Sequence, residues 1–229
     1  MNVGDVLRGF LLGALIVLVL PSPSQAHDPY VWFDPLAWDN YTDVNYQIDD
    51  SIPGDNGSNF ETRIHDGVAD WNAVTGVGGF TFDDVGNGNK SWGDPCNWQD
   101  AATDIWVFYH DITSVGQTKW CEVWHNQQQY WDIQSARVAF DTDPTWYRGT
   151  GNVPSGEISV WEASTHEFGH ATGTFRGGNY GGHWPPEPST QCALGGAESD
   201  WTMCPVTTPG EDYLIPLEPH DIDTFQSFY

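Results

Sequence analysis

Residues 158–173 have the sequence ISVWEASTHEFGHATG, which predicts both a helix and a metal site. We expect the helix to run from Ile158 to Thr172 and to end at Gly173, in the left-handed position that commonly closes helices. Within it, His166 and His170 are four residues apart. Side chains at that spacing lie on the same helical face, so both imidazoles can contact one metal ion.

Glu167 directly follows the first histidine, so its carboxylate can reach a water molecule bound to the same metal. Zinc is the expected ion, because it binds neutral imidazoles in a tetrahedral site and leaves one position open for water. Bound zinc lowers the pKa of water to about 7. We therefore predict that His166 and His170 are zinc ligands and that Glu167 is the general base in peptide-bond hydrolysis.

The motif HEFGHATG at His166–Gly173 resembles the zinc helix of the metzincin peptidases, including its glycine. Other segments resemble elements of the matrixins, a metzincin family, and occur in the family order. These segments are the first-helix residues 70–72 (DWN), the strand region 138–141 (VAFD) followed by Trp146, the Met-turn 202–205 (TMCP) with Met203, and the final helix 217–229 (LEPHDIDTFQSFY).

The resemblance covers most of residues 30–229 and implies a secreted zinc endopeptidase. It implies a zincin-like α+β fold, with a twisted, mostly parallel five-stranded sheet, an antiparallel edge strand, an active-site helix and a C-terminal helix. It also implies one catalytic zinc ion and a cleft in which an extended protein or peptide substrate binds along the edge strand by strand addition.

Three features depart from the family pattern. Arg176 occupies the usual position of the third metzincin ligand, and arginine does not ligate zinc. Pro205 stands two residues after Met203, where the astacin-type and serralysin-type families have tyrosine, so the matrixin type is favoured. We also expect no matrixin pro-segment with a zinc-blocking cysteine, because only a short stretch separates Ala26 from the first predicted strand.

His183 is the predicted third zinc ligand. A zinc hydrolase needs three protein ligands, and the helix supplies two. The glycine-rich stretch 174–182 is flexible enough to bulge out and return, and His183 is the first metal-competent side chain after it. It also precedes Met203, as the family order requires. The competing ligands are Glu187, which is hemmed by prolines, and Glu198 and Asp200, which fall almost on the Met-turn.

The first 26 residues predict a cleaved signal peptide. The apolar run 10–20 is too short for a membrane span, which needs about 20 residues, and a small-residue exit ends at Ala26. We therefore expect residues 27–229 to form a single secreted catalytic domain with no membrane attachment after cleavage.

A net charge of −25 argues against nucleic acid as a partner, because phosphate binding needs basic side chains. The abundance of Asp suits a hard cation, so calcium is a second candidate cofactor, although no Asp run has the EF-hand spacing. We expect the protein to be a monomer.

The chain has four cysteines, and an even number behind a signal peptide predicts two disulfides. Four cysteines permit three pairings. We favour the local pairs Cys96–Cys121 and Cys192–Cys204, because each joins parts of a Gly/Pro-rich region. The absence of C-x-x-C spacing argues against a four-cysteine zinc site.

Periodicity predicts a mixed order of elements, with strands before and between helices. Phe60, Ile64, Val68 and Trp71 fall on one face of a predicted first helix. The predicted strands are 44–48, 80–82, 105–109, 120–124 and 138–140, and the last predicted helix follows Pro219.

Other interpretations remain open. A gluzincin would take its third ligand from a downstream glutamate such as Glu187 or Glu198. Cleavage after Ala26 would expose His27, which resembles the copper brace of polysaccharide oxidases. A non-catalytic secreted binding module on a protease-like fold is the third alternative. Separately, His110 and His125 are candidates for a second, structural metal.

Overall fold

A computed structural model describes residues 36–38, 43–54, 59–74, 80–98, 103–125, 130–173, 202–203, 209–210, 217 and 219–226. The strands are β1 (Leu36–Ala37), β2 (Asp43–Asp49), β3 (Thr81–Gly88), β4 (Ile105–Tyr109), β5 (Gly116–His125), β6 (Tyr130–Phe140), β7 (Trp146–Tyr147) and β8 (Ile158–Ser159). The helices are α1 (Asn59–Val74), α2 (Val160–Ala171) and α3 (Pro219–Gln226). A short 3₁₀ turn covers Pro95–Asn97.

The main sheet is mostly parallel, as predicted. Five strands lie in the order β3-β2-β4-β6-β5, and the two-residue β1 adds beside the start of β6. Strands β3, β2, β4 and β6 are parallel, whereas β5 runs antiparallel to β6. In the part of the chain that the structure describes, β6 is the only strand that pairs with β5, so β5 is an edge strand.

The main core lies between the sheet and the helices α1 and α2. The predicted apolar face of α1 is confirmed, since Phe60, Ile64, Val68 and Trp71 are all buried. These side chains pack with residues from the parallel strands, such as Ile48 of β2. The indole nitrogen of Trp71 donates a hydrogen bond of 2.6 Å to the carbonyl of Thr165, which fixes α1 against the middle of α2.

The predicted start of α2 was two residues too early. Ile158 and Ser159 form the short strand β8, which pairs in parallel with β7. The hydroxyl of Ser159 then accepts a hydrogen bond of 3.3 Å from the amide of Glu162, so Ser159 caps the helix. The predicted left-handed glycine is confirmed by the φ of 81° at Gly173, and the helix itself ends at Ala171, one residue before the predicted Thr172.

Strands β5 and β6 form an antiparallel pair, the edge hairpin, and both are longer than their apolar patterns predicted. Strand β5 begins at Gly116 rather than Trp120, and β6 begins at Tyr130 rather than Val138. Polar residues occupy much of the added length, because only part of an antiparallel edge pair faces the core.

Among the described residues, no helix is long and apolar enough to cross a membrane.

Residues 89–98 cover the sheet on the side opposite the helices. Trp92 and Trp98 pack there against Phe108 of β4. The guanidinium of Arg137 lies 3.9 Å from the centre of the Trp92 ring. These contacts form a second, smaller core over β4 and β6, which includes Trp106 and Ala139.

A disulfide joins this covering segment to the edge strand. Cys96 and Cys121 are bonded with their Cα atoms 4.7 Å apart, which is the first of the two predicted pairs. Lys119, two residues earlier on the same face of β5, forms a salt bridge of 3.0 Å with Asp94. Cys192 and Cys204 lie outside the described residues, so their pairing stays a prediction.

Replacing both Cys96 and Cys121 by alanine is expected to lower the free energy of unfolding by about 3–4 kcal/mol, from the loop entropy restored to the unfolded chain. The bond closes a loop with a sequence separation of 25. Urea unfolding of the double variant would measure the loss. An unchanged unfolding midpoint, or a non-reducing peptide map that joins Cys96 to Cys192, would contradict this assignment.

Candidate active site

The side chains of His166 and His170 converge on one point beside α2. Their Nε2 atoms are 3.1 Å apart, and their rings are nearly perpendicular, with an interplanar angle of 85°. Two nitrogens that each lie about 2.0–2.1 Å from one tetrahedral zinc ion are about 3.3–3.4 Å apart. The pair therefore fits a shared zinc ion with little movement, and the predicted juxtaposition of these histidines is present.

The ring of His166 is held in one tautomer by the chain around Thr202. Its Nδ1 atom lies 2.6 Å from the carbonyl oxygen of Thr202, which only accepts hydrogen bonds, so Nδ1 carries the proton. Burial lowers the pKa of His166, which favours the neutral ring. A neutral ring protonated at Nδ1 presents the lone pair of Nε2, the form that binds a metal.

The buried carboxylate of Asp221 supports Thr202 from α3. It accepts a hydrogen bond of 3.1 Å from the amide of Thr202, and both residues are fully buried. A carboxylate, a peptide group and an imidazole thus form one chain of hydrogen bonds that ends at the candidate ligand His166. The sequence analysis gave neither residue a role at the site, although Thr202 lies in the predicted Met-turn. The available signal was an aspartate in the first turn of α3, a position where an acidic residue also suits any helix.

Glu167 is buried between α2 and the edge strand β5. Its carboxylate oxygen Oε2 accepts a hydrogen bond of 2.7 Å from the hydroxyl of Thr118. Burial raises the pKa of Glu167 to about 7, and the Thr118 hydrogen bond opposes that rise. A carboxyl group whose pKa lies near neutrality is suited to accept and then release a proton.

Met203 packs directly beneath α2, at the level of the histidine pair. Its side chain is fully buried. A Cβ atom at Gly169 would lie 2.3 Å from Sδ of Met203 and 2.7 Å from Cζ2 of Trp71. Glycine at this position therefore lets the methionine and the tryptophan approach the backbone between the two histidines.

Gly169→Ala is expected to destabilise the protein. Alanine normally favours a helix over glycine by about 1 kcal/mol, but overpacking a core costs about 1–3 kcal/mol. The clash should win, because both neighbouring side chains are fully buried. Thermal unfolding would show a lower midpoint than for Gly93→Ala, where the nearest atom to the new Cβ is 3.8 Å away. A midpoint equal to that of the wild type would argue against this tight packing.

Other predicted site residues lie outside the described residues or make other contacts. The residues that lie outside the described ranges are Arg176, His183 and the competing ligands Glu187, Glu198 and Asp200. In the described ranges, no third His, Cys, Asp or Glu joins a group able to hold a metal. His110 stacks on Trp92 with ring centres 4.1 Å apart, and the side chain of His125 is not described.

The calcium prediction also stays a prediction. An open acidic pocket lies beside the end of β2 and is lined in part by Asp49, Asp50 and Glu61. The Asp49 carboxylate already accepts hydrogen bonds of 2.9 Å from the amide of Ser51 and 2.7 Å from the amide of Lys90.

Comparison with known proteins leaves the site as the main guide to function. The chain matches no protein-family model and no curated protein sequence.

Proposed function

We propose that the protein is a secreted zinc-dependent endopeptidase of the metzincin type, whose sequence motifs resemble those of the matrixins. The convergence of the Nε2 atoms of His166 and His170, 3.1 Å apart, carries this proposal. The buried Glu167 next to them supplies the base that such a hydrolase needs. His183 is the proposed third ligand.

The chain's own residues would divide the work of hydrolysis. A bound zinc ion would supply Lewis-acid chemistry, polarising the peptide carbonyl and acidifying water. As water attacks and forms a C–O bond with the carbonyl carbon, the carboxylate of Glu167 accepts a proton from that water. Glu167 then passes the proton to the amine nitrogen as the peptide C–N bond breaks. The hydrogen bond from His166 to Thr202 keeps that ring in the orientation that a metal ligand needs.

The arrangement around α2 supports the metzincin type within the α+β class. An antiparallel edge strand, β5, lies beside the helix that carries the histidines. Met203 lies beneath the same helix, and α3 closes the base of the site through Asp221. An edge strand next to a catalytic base suits an extended peptide that binds by strand addition.

The disulfide Cys96–Cys121 supports a secreted location, because such bonds persist mainly in oxidising compartments. The proposal therefore keeps residues 1–26 as a signal peptide and residues 27–229 as the catalytic domain. It also keeps an extended protein or peptide as the substrate and a monomer as the active form.

Metal analysis of the purified mature protein, together with casein digestion, tests the proposal. We expect one zinc ion per chain, cleavage of casein, loss of cleavage with a chelator and recovery on addition of zinc. Stoichiometric copper would instead favour the N-terminal histidine oxidase. A zinc-loaded protein that cleaves nothing would favour a non-catalytic binding module.

A further inference from the structure

Alternate residues of β5 face the catalytic segment of α2. A Cβ atom at Gly116 would lie 2.4 Å from Oε1 of Glu167, so this strand backbone approaches the carboxylate directly. Two residues later, the hydroxyl of Thr118 lies 2.7 Å from Oε2 of Glu167 and 2.9 Å from its carbonyl oxygen. Two residues later again, the indole nitrogen of Trp120 donates a hydrogen bond of 3.1 Å to the carbonyl of His170. The two-residue period of a strand places all three contacts on one face.

The intervening residues of β5 are held from the opposite face. Gln117 accepts a hydrogen bond of 3.1 Å from Arg137, Lys119 bonds to Asp94, and Cys121 carries the disulfide. The strand is therefore fixed on both faces, which limits rotation about its axis. Its side chains on the α2 face are then held in a defined register against Glu167.

We infer that Thr118 is the positioning residue for the catalytic carboxylate, an inference that rests on the proposed function of Glu167. In the described structure, the Thr118 hydroxyl is the one hydrogen-bond partner of the Glu167 carboxylate. Oε2 is held by that hydroxyl, while Oε1 lies against the backbone of Gly116. Together these contacts restrict rotation of the carboxylate and fix the direction from which it accepts a proton.

The matched pair Thr118→Val and Thr118→Ser tests the inference. Valine keeps the β-branched shape but removes the hydroxyl, whereas serine keeps the hydroxyl. Groups that orient a metal centre from outside it typically contribute 10–100-fold to activity, so we expect Thr118→Val to lower kcat by about that factor. KM and the zinc content should stay close to the wild-type values, and Thr118→Ser should restore kcat to within a few-fold.

Thr81→Val is the control for the loss of a strand hydroxyl. Thr81 is the first residue of β3, and its hydroxyl donates a hydrogen bond of 3.1 Å to a carboxylate oxygen of Asp43. This is the same kind of contact as that of Thr118, but it lies at the other edge of the sheet. This variant should leave kcat unchanged. An unchanged kcat for Thr118→Val, or an equal fall for Thr81→Val, would overturn the positioning role.

A double-mutant cycle separates this inference from the proposed function. Thr118→Val, Glu167→Ala and the double variant are compared by thermal unfolding of the metal-free protein, which needs no activity. Because the two side chains are in contact, we expect the shifts in Tm to be non-additive. Additive shifts would overturn the contact itself. If the shifts are non-additive but the wild-type protein, once loaded with zinc, cleaves no casein, the proposed function is overturned and Thr118 is left with a structural role only.

Discussion

Glu167→Gln is expected to retain stoichiometric zinc and to lose peptidase activity by about 10²–10⁴-fold, the usual contribution of a general base. The amide has nearly the same shape as the carboxyl group and can still accept the hydrogen bond from Thr118, so the local fold should survive. It cannot take up the proton of the attacking water. Casein digestion and zinc analysis on the same sample would measure both properties.

Glu157→Gln is a suitable control for this substitution. Glu157 lies just before α2, outside the group formed by His166, Glu167 and Thr118. Its variant should cleave casein at the wild-type rate. Near wild-type turnover by Glu167→Gln would reject the assignment of the base, and with it the hydrolytic mechanism.

His183→Ala is expected to abolish activity and to weaken zinc binding by more than about 100-fold, since even groups that only orient a ligand contribute 10–100-fold. The described part of the protein brings together two imidazoles, and a zinc hydrolase needs three protein ligands. His183 follows the glycine-rich stretch after α2 and is the first metal-competent residue there. Zinc affinity measured by competition with a chromophoric chelator would give the magnitude.

His65→Ala provides the comparison for His183→Ala. His65 lies on α1, and its Nδ1 atom is 2.6 Å from the hydroxyl of Tyr46, so it already has a structural partner. This variant should bind zinc as the wild type does. If His183→Ala binds zinc stoichiometrically and still cleaves casein, the third ligand must come from elsewhere, and Asp200 would be the next residue to test.

The structure differs from the sequence-based expectations mainly where polar residues extend or begin elements. The apolar pattern located the end of β6 but missed its first eight residues, 130–137, where polar positions alternate with buried ones such as Ile133 and Ala136. The start of α2 was misplaced because Ser159 is both a strand residue and a helix cap. Both errors arise where tertiary pairing overrides local preference.

The sequence by itself determined the features that depend on local spacing. The four-residue separation of His166 and His170 places them on one helical face, and the apolar period of α1 determines which residues enter the core. The glycine at position 173 determines where α2 ends. Each of these follows from the helical repeat or from the conformational freedom of one residue.

Only the tertiary structure decided what surrounds the histidines and the glutamate. Thr118 and Glu167 are separated by 49 residues, and His166 and Thr202 by 36. Such contacts depend on the register of β5 against β6 and on the packing of α2 against the edge strand and α3. The periodicity of a single helix or strand does not predict these contacts, because they depend on how the elements pack around the whole core.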